Sequence, residues 1–138
     1  MSSEHETAPD ISSEVLAELS ANAWLANSRA RILGSTRVGA AALADTGEIY
    51  TGCNVEHRFR SHDIHAETNA LSSLMAGGAL SCTIVLVVAA RRKFTPCGAC
   101  LDWIFEIGGP DCHVGFQSDK DGAVLWFLAS QLMPHYPH

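Results

Sequence analysis

The stretch His65-Ala66-Glu67 and, further along, Pro96-Cys97-Gly98-Ala99-Cys100 decide how this chain folds and what it holds. One imidazole and two thiols form a zinc ligand set that leaves the fourth position of the ion open, as catalytic zinc sites do. A Glu two residues after the His can move protons beside such an ion. Cys-x-x-Cys alone also occurs as a redox pair, and His-x-Glu alone is common by chance, but together they favour zinc. The pattern predicts His65, Cys97 and Cys100 as zinc ligands and Glu67 as the catalytic residue.

Both halves of this pattern fall at predicted helix starts. Cys97 and Cys100 are three residues apart and share one face of a helix, and Pro96 suits the turn that enters it. A second helix is expected from Ala66 to about Gly77, where a glycine pair ends it. Unpaired N–H groups at a helix N-terminus lower the pKa of nearby thiols. We therefore expect two helix N-termini to converge on one metal ion.

Length and composition indicate one small domain. The chain has 138 residues, 47% of them hydrophobic, which is enough for a single core. Its formal net charge of −6 argues against a protein that binds the phosphate backbone of nucleic acids. The longest apolar run, 84–90, has the length of a strand rather than of a membrane span, and no signal peptide is visible. Five cysteines, two of them assigned to metal, favour a reducing, cytoplasmic setting over a disulfide framework.

Hydrophobic periodicity and turn residues predict an alternation of helices and strands. Helices are expected at 12–31, 66–77, 97–107 and near Ser130. Strands are expected at 38–44, 48–54, 83–90, 113–117 and 124–127. This order predicts a three-layer α/β/α domain with one mixed five-stranded sheet. The domain is expected to cover residues 11–138, behind a flexible tail at 1–10.

Several separate motifs together resemble the cytidine deaminase family, in particular its short single-domain members. Besides the two halves of the zinc pattern, they are Val38-Gly39-Ala40-Ala41, Gly52-Cys53-Asn54-Val55-Glu56 and Leu132-Met133-Pro134. Their order and separations match that family from about Val38 to the C-terminus. The resemblance implies a cytidine-deaminase-like fold and zinc-dependent hydrolysis of a cytidine-type nucleoside to a uridine-type product and ammonia. It also implies a homotetramer, with a dimer second. The net charge and the short apolar runs described above argue against nucleic acid and membrane as partners.

The resemblance further implies a role for each site residue. Asn54 and Glu56 would hold the ribose 3′-hydroxyl from outward positions on a strand. Backbone groups near Ala66 and Thr95 would contact the edge of the base. Glu67 would take a proton from a water activated by zinc, protonate the ring N3 and help the amine leave.

Five positions depart from the family pattern. Members with three cysteine ligands carry an Arg directly after the catalytic Glu, whereas this chain combines His65 with Thr68. Two thiolates and a neutral imidazole already balance Zn²⁺, so the cation is not needed. Relatives carry an aromatic that packs on the substrate where this chain has Thr36, and an aromatic near the middle of the following loop where it has Arg60. Tyr136 lies about one position before the C-terminal aromatic of relatives. These three positions are candidate determinants of substrate specificity.

The loop at 57–63 is unusually polar and basic for an acidic chain. It is either a solvated loop or part of a pocket for a nucleoside with an acidic or bulky substituent, or for a phosphate. The alternatives are therefore a deaminase of a cytosine nucleoside antibiotic of the blasticidin type and a deaminase of a pyrimidine nucleotide. A polynucleotide deaminase shares the zinc pattern but not the Gly52–Glu56 segment. A non-catalytic zinc module would require neither Glu67 nor an open metal position.

Overall fold

The computed structural model describes residues 7–92 and 94–136, and over these residues the chain forms four α-helices and five strands. The helices are α1 (Ser13–Ser28), α2 (Ala66–Ala76), α3 (Gly98–Gly108) and α4 (Ala129–Leu132). The strands are β1 (Val38–Ala44), β2 (Ile49–Cys53), β3 (Cys82–Ala89), β4 (His113–Gln117) and β5 (Val124–Leu128). Apart from the end of α1, these bounds agree with the predicted ones to within one residue. None of the described helices is both long enough and apolar enough to cross a membrane.

The strands form one mixed sheet in the order β2-β1-β3-β4-β5. β1 and β2 are an antiparallel hairpin whose turn contains Gly47 at φ 91°, a left-handed conformation that suits glycine. β1 also pairs antiparallel with β3. β3 and β4 run parallel, with α3 as the connection between them, and β5 returns antiparallel to β4. The predicted mixed five-stranded sheet is confirmed.

Helices cover both faces of the sheet, as three layers require. α1 packs Leu19 and Ala23 against one face, where Ala41 and Leu86 point. α2 and α3 pack on the other face of the sheet. Side chains alternate along a strand, so the residues next to Ala41 and Leu86 on β1 and β3 point to this second face. Buried residues of this second core include Ala40, Ala42, Val85, Val87, Leu71, Leu74, Leu101 and Ile104.

The first helix begins as predicted and ends early. Ser12 is its N-cap, and its Oγ accepts the Val15 N–H at 3.2 Å. The predicted end at Arg31 is wrong, because α1 stops at Ser28. Arg31 instead donates its N–H to the Asn54 carbonyl at 3.1 Å and forms a bridge with Val55. Because the backbone of Arg31 pairs with the segment that follows β2, Arg31 cannot continue the helix.

The predicted flexible tail at 1–10 falls partly outside the described residues. Thr7, within it, is buried, and its hydroxyl donates to the Trp126 carbonyl on β5 at 2.7 Å. Packing on the sheet therefore starts at least as early as Thr7.

A glycine on β2 allows the second helix to lie directly on the sheet. A Cβ at Gly52 would lie 2.4 Å from the Ala70 nitrogen and 2.6 Å from the Ala66 carbonyl oxygen. Only a residue without a side chain fits this approach. The contact sets the distance between β2 and the first turn of α2, the turn that carries Glu67.

One edge of the sheet collects the functional segments. Val38 at the start of β1 pairs with Ala89 at the end of β3, and Gly39 pairs with Cys53 at the end of β2. The segments that lead to the starts of α2 and α3 leave from this same edge. The topology thus brings together residues that are far apart in the sequence.

Candidate active site

The three predicted metal ligands form one cluster. His65 Nδ1 lies 3.3 Å from Cys97 Sγ and 3.4 Å from Cys100 Sγ, and the three ligand atoms lie within 4.8 Å of one another. Ligand atoms bound to one tetrahedral zinc ion at about 2.0–2.3 Å are separated by roughly 3.3–3.8 Å. The separations and the donor set of one imidazole and two sulfurs therefore both fit zinc.

Two helix starts position these ligands. His65 is the N-cap of α2 and Cys97 is the N-cap of α3, while Cys100 lies in the first turn of α3. This confirms the prediction that two helix N-termini converge on the metal site. Burial raises the pKa of the Cys100 thiol, and the charges of Glu67 and Cys97 add to this, whereas a hydrogen bond from the Thr68 N–H lowers it. Because a coordinated dication deprotonates such a thiol, the cluster suits a bound cation.

Glu67 occupies the second position of α2 and is 6% exposed. Burial raises the pKa of its carboxyl, and its own backbone N–H and nearby His65 oppose that rise. A carboxyl whose pKa is raised above its ordinary value is better suited to both accepting and returning a proton.

A cavity of about 270 Å³ opens beside the metal cluster. The predicted site residues that line it are Thr36, Asn54, Glu56, His65, Ala66, Glu67, Thr95 and Cys97. Cys100 is buried behind this wall. Three further lining residues were not predicted as site residues, namely Val38, Arg91 and Phe94. Arg91 lies two residues after the buried strand β3, at its carboxyl end, and that position was the signal that could have revealed it.

Asn54 ties the ends of two strands together. The predicted placement of Asn54 and Glu56 on a strand is wrong, because β2 ends at Cys53 and both residues lie just beyond it. The Asn54 Oδ1 accepts the Val38 N–H at 2.8 Å, and its Nδ2 donates to the Thr36 carbonyl at 3.0 Å. These two bonds hold the amide at a fixed orientation in the cavity wall.

Glu56 is held as an ionised carboxylate. Its Oε1 accepts the Gly34 N–H at 2.8 Å and the Leu33 N–H at 2.6 Å, and its Oε2 lies 2.9 Å from the Arg60 guanidinium. The Gly34 and Leu33 N–H groups, followed by Arg60, lower the pKa of Glu56. Arg60 also binds Asp63 at 2.9 Å. Arg60 therefore sits behind Glu56, and the structure does not bring it to the cavity wall.

Tyr136 is likewise not brought to the cavity of its own chain. Its ring stacks on Phe105 of α3 with 4.2 Å between ring centroids, and its hydroxyl donates to the Asp102 carboxylate. These contacts hold it on α3.

An open zinc ligand set, a buried carboxyl beside it and a cavity at the edge of a three-layer α/β/α sheet define a zinc-dependent hydrolytic deaminase. The family model described as the cytidine and deoxycytidylate deaminase zinc-binding region matches residues 13–116. The chain belongs to that family.

Individual relatives agree with this assignment. A cytidine deaminase of Sporosarcina psychrophila is 41% identical over 98 residues, which cover 70% of this chain and 71% of the relative. The crystal structure of cytidine deaminase from Burkholderia pseudomallei matches with a TM-score of 0.79 at 28% identity, covering 91% of this chain and 98% of that one. Cytidine deaminase from Mycobacterium tuberculosis matches with a TM-score of 0.74 at 28% identity, covering 87% and 94%.

Proposed function

We propose that this protein deaminates a cytidine-type nucleoside, replacing the exocyclic amine at C4 of the base with oxygen from water. Products are the uridine-type nucleoside and ammonia. The observation that carries the proposal is the position of buried Glu67 beside the cluster of His65, Cys97 and Cys100, in a cavity whose wall also contains Asn54 and Glu56.

Glu67 is the proposed proton carrier. His65, Cys97 and Cys100 would hold the zinc ion, which when bound supplies a water that ionises near neutral pH. The Glu67 carboxylate is placed to accept a proton from the attacking water, to deliver it to the ring N3 and later to assist departure of the amine. Burial of Glu67 excludes competing bulk water from this exchange.

Asn54 and Glu56 are the proposed sugar-binding residues. The Asn54 amide gives one of its two hydrogens to the Thr36 carbonyl, so the second can be donated to a sugar hydroxyl. The Glu56 Oε2 accepts from Arg60 and has capacity for a further donor, such as the same hydroxyl. Ala66, at the first position of α2, and Thr95, which also lines the cavity, are placed to contact the base edge.

An ammonia-release screen over cytidine, deoxycytidine, free cytosine, dCMP, blasticidin S and adenosine tests the proposal. We expect a cytosine nucleoside to be turned over faster than free cytosine. Free cytosine as the best substrate would contradict the role of Asn54 and Glu56. Ammonia from none of them, with zinc retained, would favour a non-catalytic zinc module.

A modified cytosine nucleoside is the second candidate substrate. Thr36 lines the cavity where relatives carry an aromatic side chain, and its smaller volume leaves room for a bulkier substituent. A rate for blasticidin S or a 5-substituted cytidine above that for cytidine would support this candidate.

The proposed assembly is a homotetramer, with a dimer second. An apolar groove of about 390 Å³ runs between α2 and α3, lined by Leu71, Met75, Trp103 and Ile107 among others. Met75 is 48% exposed and Trp103 is 53% exposed, which is unusual for side chains of this size and favours their burial against another copy. Sedimentation of the purified protein tests this assembly. A fully active monomer would refute active sites that borrow residues from neighbours.

We also propose that the protein works in the cytoplasm. The support is the metal-ligand chemistry, because Cys97 is exposed and a solvent-accessible thiolate ligand survives best in a reducing compartment. Fractionation of cells with a cytoplasmic marker enzyme tests this location. We further propose a single deaminase domain, predicted over residues 11–138 and extended to at least Thr7 by its packing on β5, which limited proteolysis would reveal as one protected fragment.

A further inference from the structure

Arg91 is a basic side chain on the active-site wall that the proposed mechanism does not use. It follows β3 after Ala90, and it lines the cavity beside the metal cluster. Its guanidinium lies 5.8 Å from the centroid of the Phe94 ring, a cation–π distance, and Phe94 lines the same cavity. The aromatic ring therefore helps to keep the charge at the cavity.

The sheet places Arg91 across the cavity from the sugar-binding residues. Asn54 follows the end of β2, and Arg91 follows the end of β3. β1, which begins at Val38, lies between these two strands and therefore separates Asn54 from Arg91. Neighbouring strands are about 4.8 Å apart, so the two flanking segments are separated by roughly 10 Å. A substrate held by Asn54 and Glu56 on one wall faces Arg91 on the other.

The charge of Arg91 is not balanced by a nearby carboxylate among the described residues. The ion pairs found over residues 7–92 and 94–136 both involve Arg60, which binds Glu56 and Asp63. The acidic groups of the cavity wall are Glu56, already paired with Arg60, and Glu67, which is buried. Arg91 is thus the cation of this wall that remains able to bind an anion brought by the substrate.

A second depression adjoins the cavity at Arg91 and provides space for such an anion. It has a volume of about 500 Å³ and is lined by Ala90, Arg91, Arg92, Ser118 and Asp119. Arg91 lines both the cavity and the depression. Asp119 belongs to the same lining and would repel an anion that approaches it, so the favourable position for an anion is beside Arg91.

We propose that Arg91 is a specificity-determining residue that binds an anionic substituent, a carboxylate or a phosphate, carried by a cytosine nucleoside. The proposal rests on the proposed deaminase function and names the substrate class more closely. The planar guanidinium matches both anions through paired N–H donors. A phosphate would be attached to the sugar and a carboxylate to the base.

The test compares cytidine, cytidine 5′-monophosphate and 5-carboxycytidine as substrates of the wild-type protein and of Arg91→Met. The matched control is Arg92→Met, because Arg92 lines the depression but not the cavity. We expect one anionic substrate to have a higher kcat/KM than cytidine, and Arg91→Met to lower that value by about tenfold or more. Cytidine should change by less than about threefold, and Arg92→Met should leave most of the preference. Arg91→Lys should retain part of it, because the charge remains but the paired donors are lost.

Binding of the products gives the same comparison without turnover. Calorimetry would measure uridine, uridine 5′-monophosphate and 5-carboxyuridine on the wild-type protein and on both Met variants. Tighter binding of one anionic product that is lost in Arg91→Met supports the inference even if no deamination is detected, in which case the proposed function fails separately. Anionic products that bind no better than uridine, or an equal loss for uridine and the anionic products in Arg91→Met, would overturn it.

Discussion

Replacing Gly52 with Ala should slow catalysis although it removes no catalytic group. A Cβ at this position would lie 2.4 Å from the Ala70 nitrogen and 2.6 Å from the Ala66 oxygen, whereas ordinary contacts of a Cβ begin at 3.4 Å. The backbone of α2 must therefore move away from β2 by about 1 Å. That movement displaces the first turn of the helix, which carries Glu67.

The expected magnitude follows from this displacement. Overpacking of a well-packed core costs about 1–3 kcal/mol of stability, so the variant should still fold, with a lower Tm. A misplacement of a catalytic group by 1 Å can cost about 10²-fold in rate. We therefore expect kcat to fall by roughly 10- to 100-fold, while zinc content falls less than kcat, because Cys97 and Cys100 lie at the start of α3, which the added Cβ does not contact.

Gly39→Ala is the matched control. Its Cβ would lie 2.1 Å from the Ala23 carbonyl oxygen, so the steric conflict is at least as severe. The helix that must move is α1, on the opposite face of the sheet, and it carries no proposed catalytic residue. Gly39→Ala should lose stability to a similar degree but keep most of its kcat.

The assay measures ammonia release for wild type, Gly52→Ala and Gly39→Ala, each well below its own Tm, together with zinc content and thermal unfolding. Two results would refute the reasoning. A folded Gly52→Ala protein with kcat within about threefold of the wild type would show that packing on β2 does not set the position of Glu67. An equal fall in kcat for Gly39→Ala would show a general loosening of the fold instead.

Three further predictions concern the site itself. The purified protein should contain about one zinc ion per chain, and Cys97→Ala or Cys100→Ala should lose it; stoichiometric zinc in both variants, measured by plasma emission, would be incompatible with the ligand assignment. Glu67→Gln should keep the fold and the zinc but lose about 10²-fold or more in turnover, because proton transfer is removed; a near-normal rate would exclude Glu67 from that role. Glu56→Ala should lower kcat/KM for a cytosine nucleoside by about tenfold, since a sugar hydroxyl loses its acceptor, and should leave any rate with free cytosine unchanged; an equal loss on both would contradict sugar binding.

Local features of the sequence were sufficient to predict the helices and the metal ligands. A helical turn places residues three apart on one face, so Cys97 and Cys100 were assigned to one site before the fold was known. Ser12 marked the start of α1 through its side-chain cap, and Gly77 marked the end of α2. These signals act over a few residues and do not depend on distant contacts.

The cavity walls were decided by contacts between distant segments. Arg60, expected to face the substrate or solvent, binds Glu56 and Asp63 because its loop folds back against the segment after β2. Tyr136 stacks on Phe105 instead of reaching the cavity of its own chain. The early end of α1 has the same origin, since Arg31 pairs with the chain beyond β2.

By itself the sequence predicted the zinc ligands, the proposed proton carrier and the alternation of helices and strands. Each of these depends on residue type and on spacing along the chain. Only the tertiary structure decided that Arg91 shares a cavity with Glu67, while Arg60 lies behind Glu56. The physical reason is that strand order and register set which loop ends meet at the edge of the sheet, and these depend on packing of the whole chain.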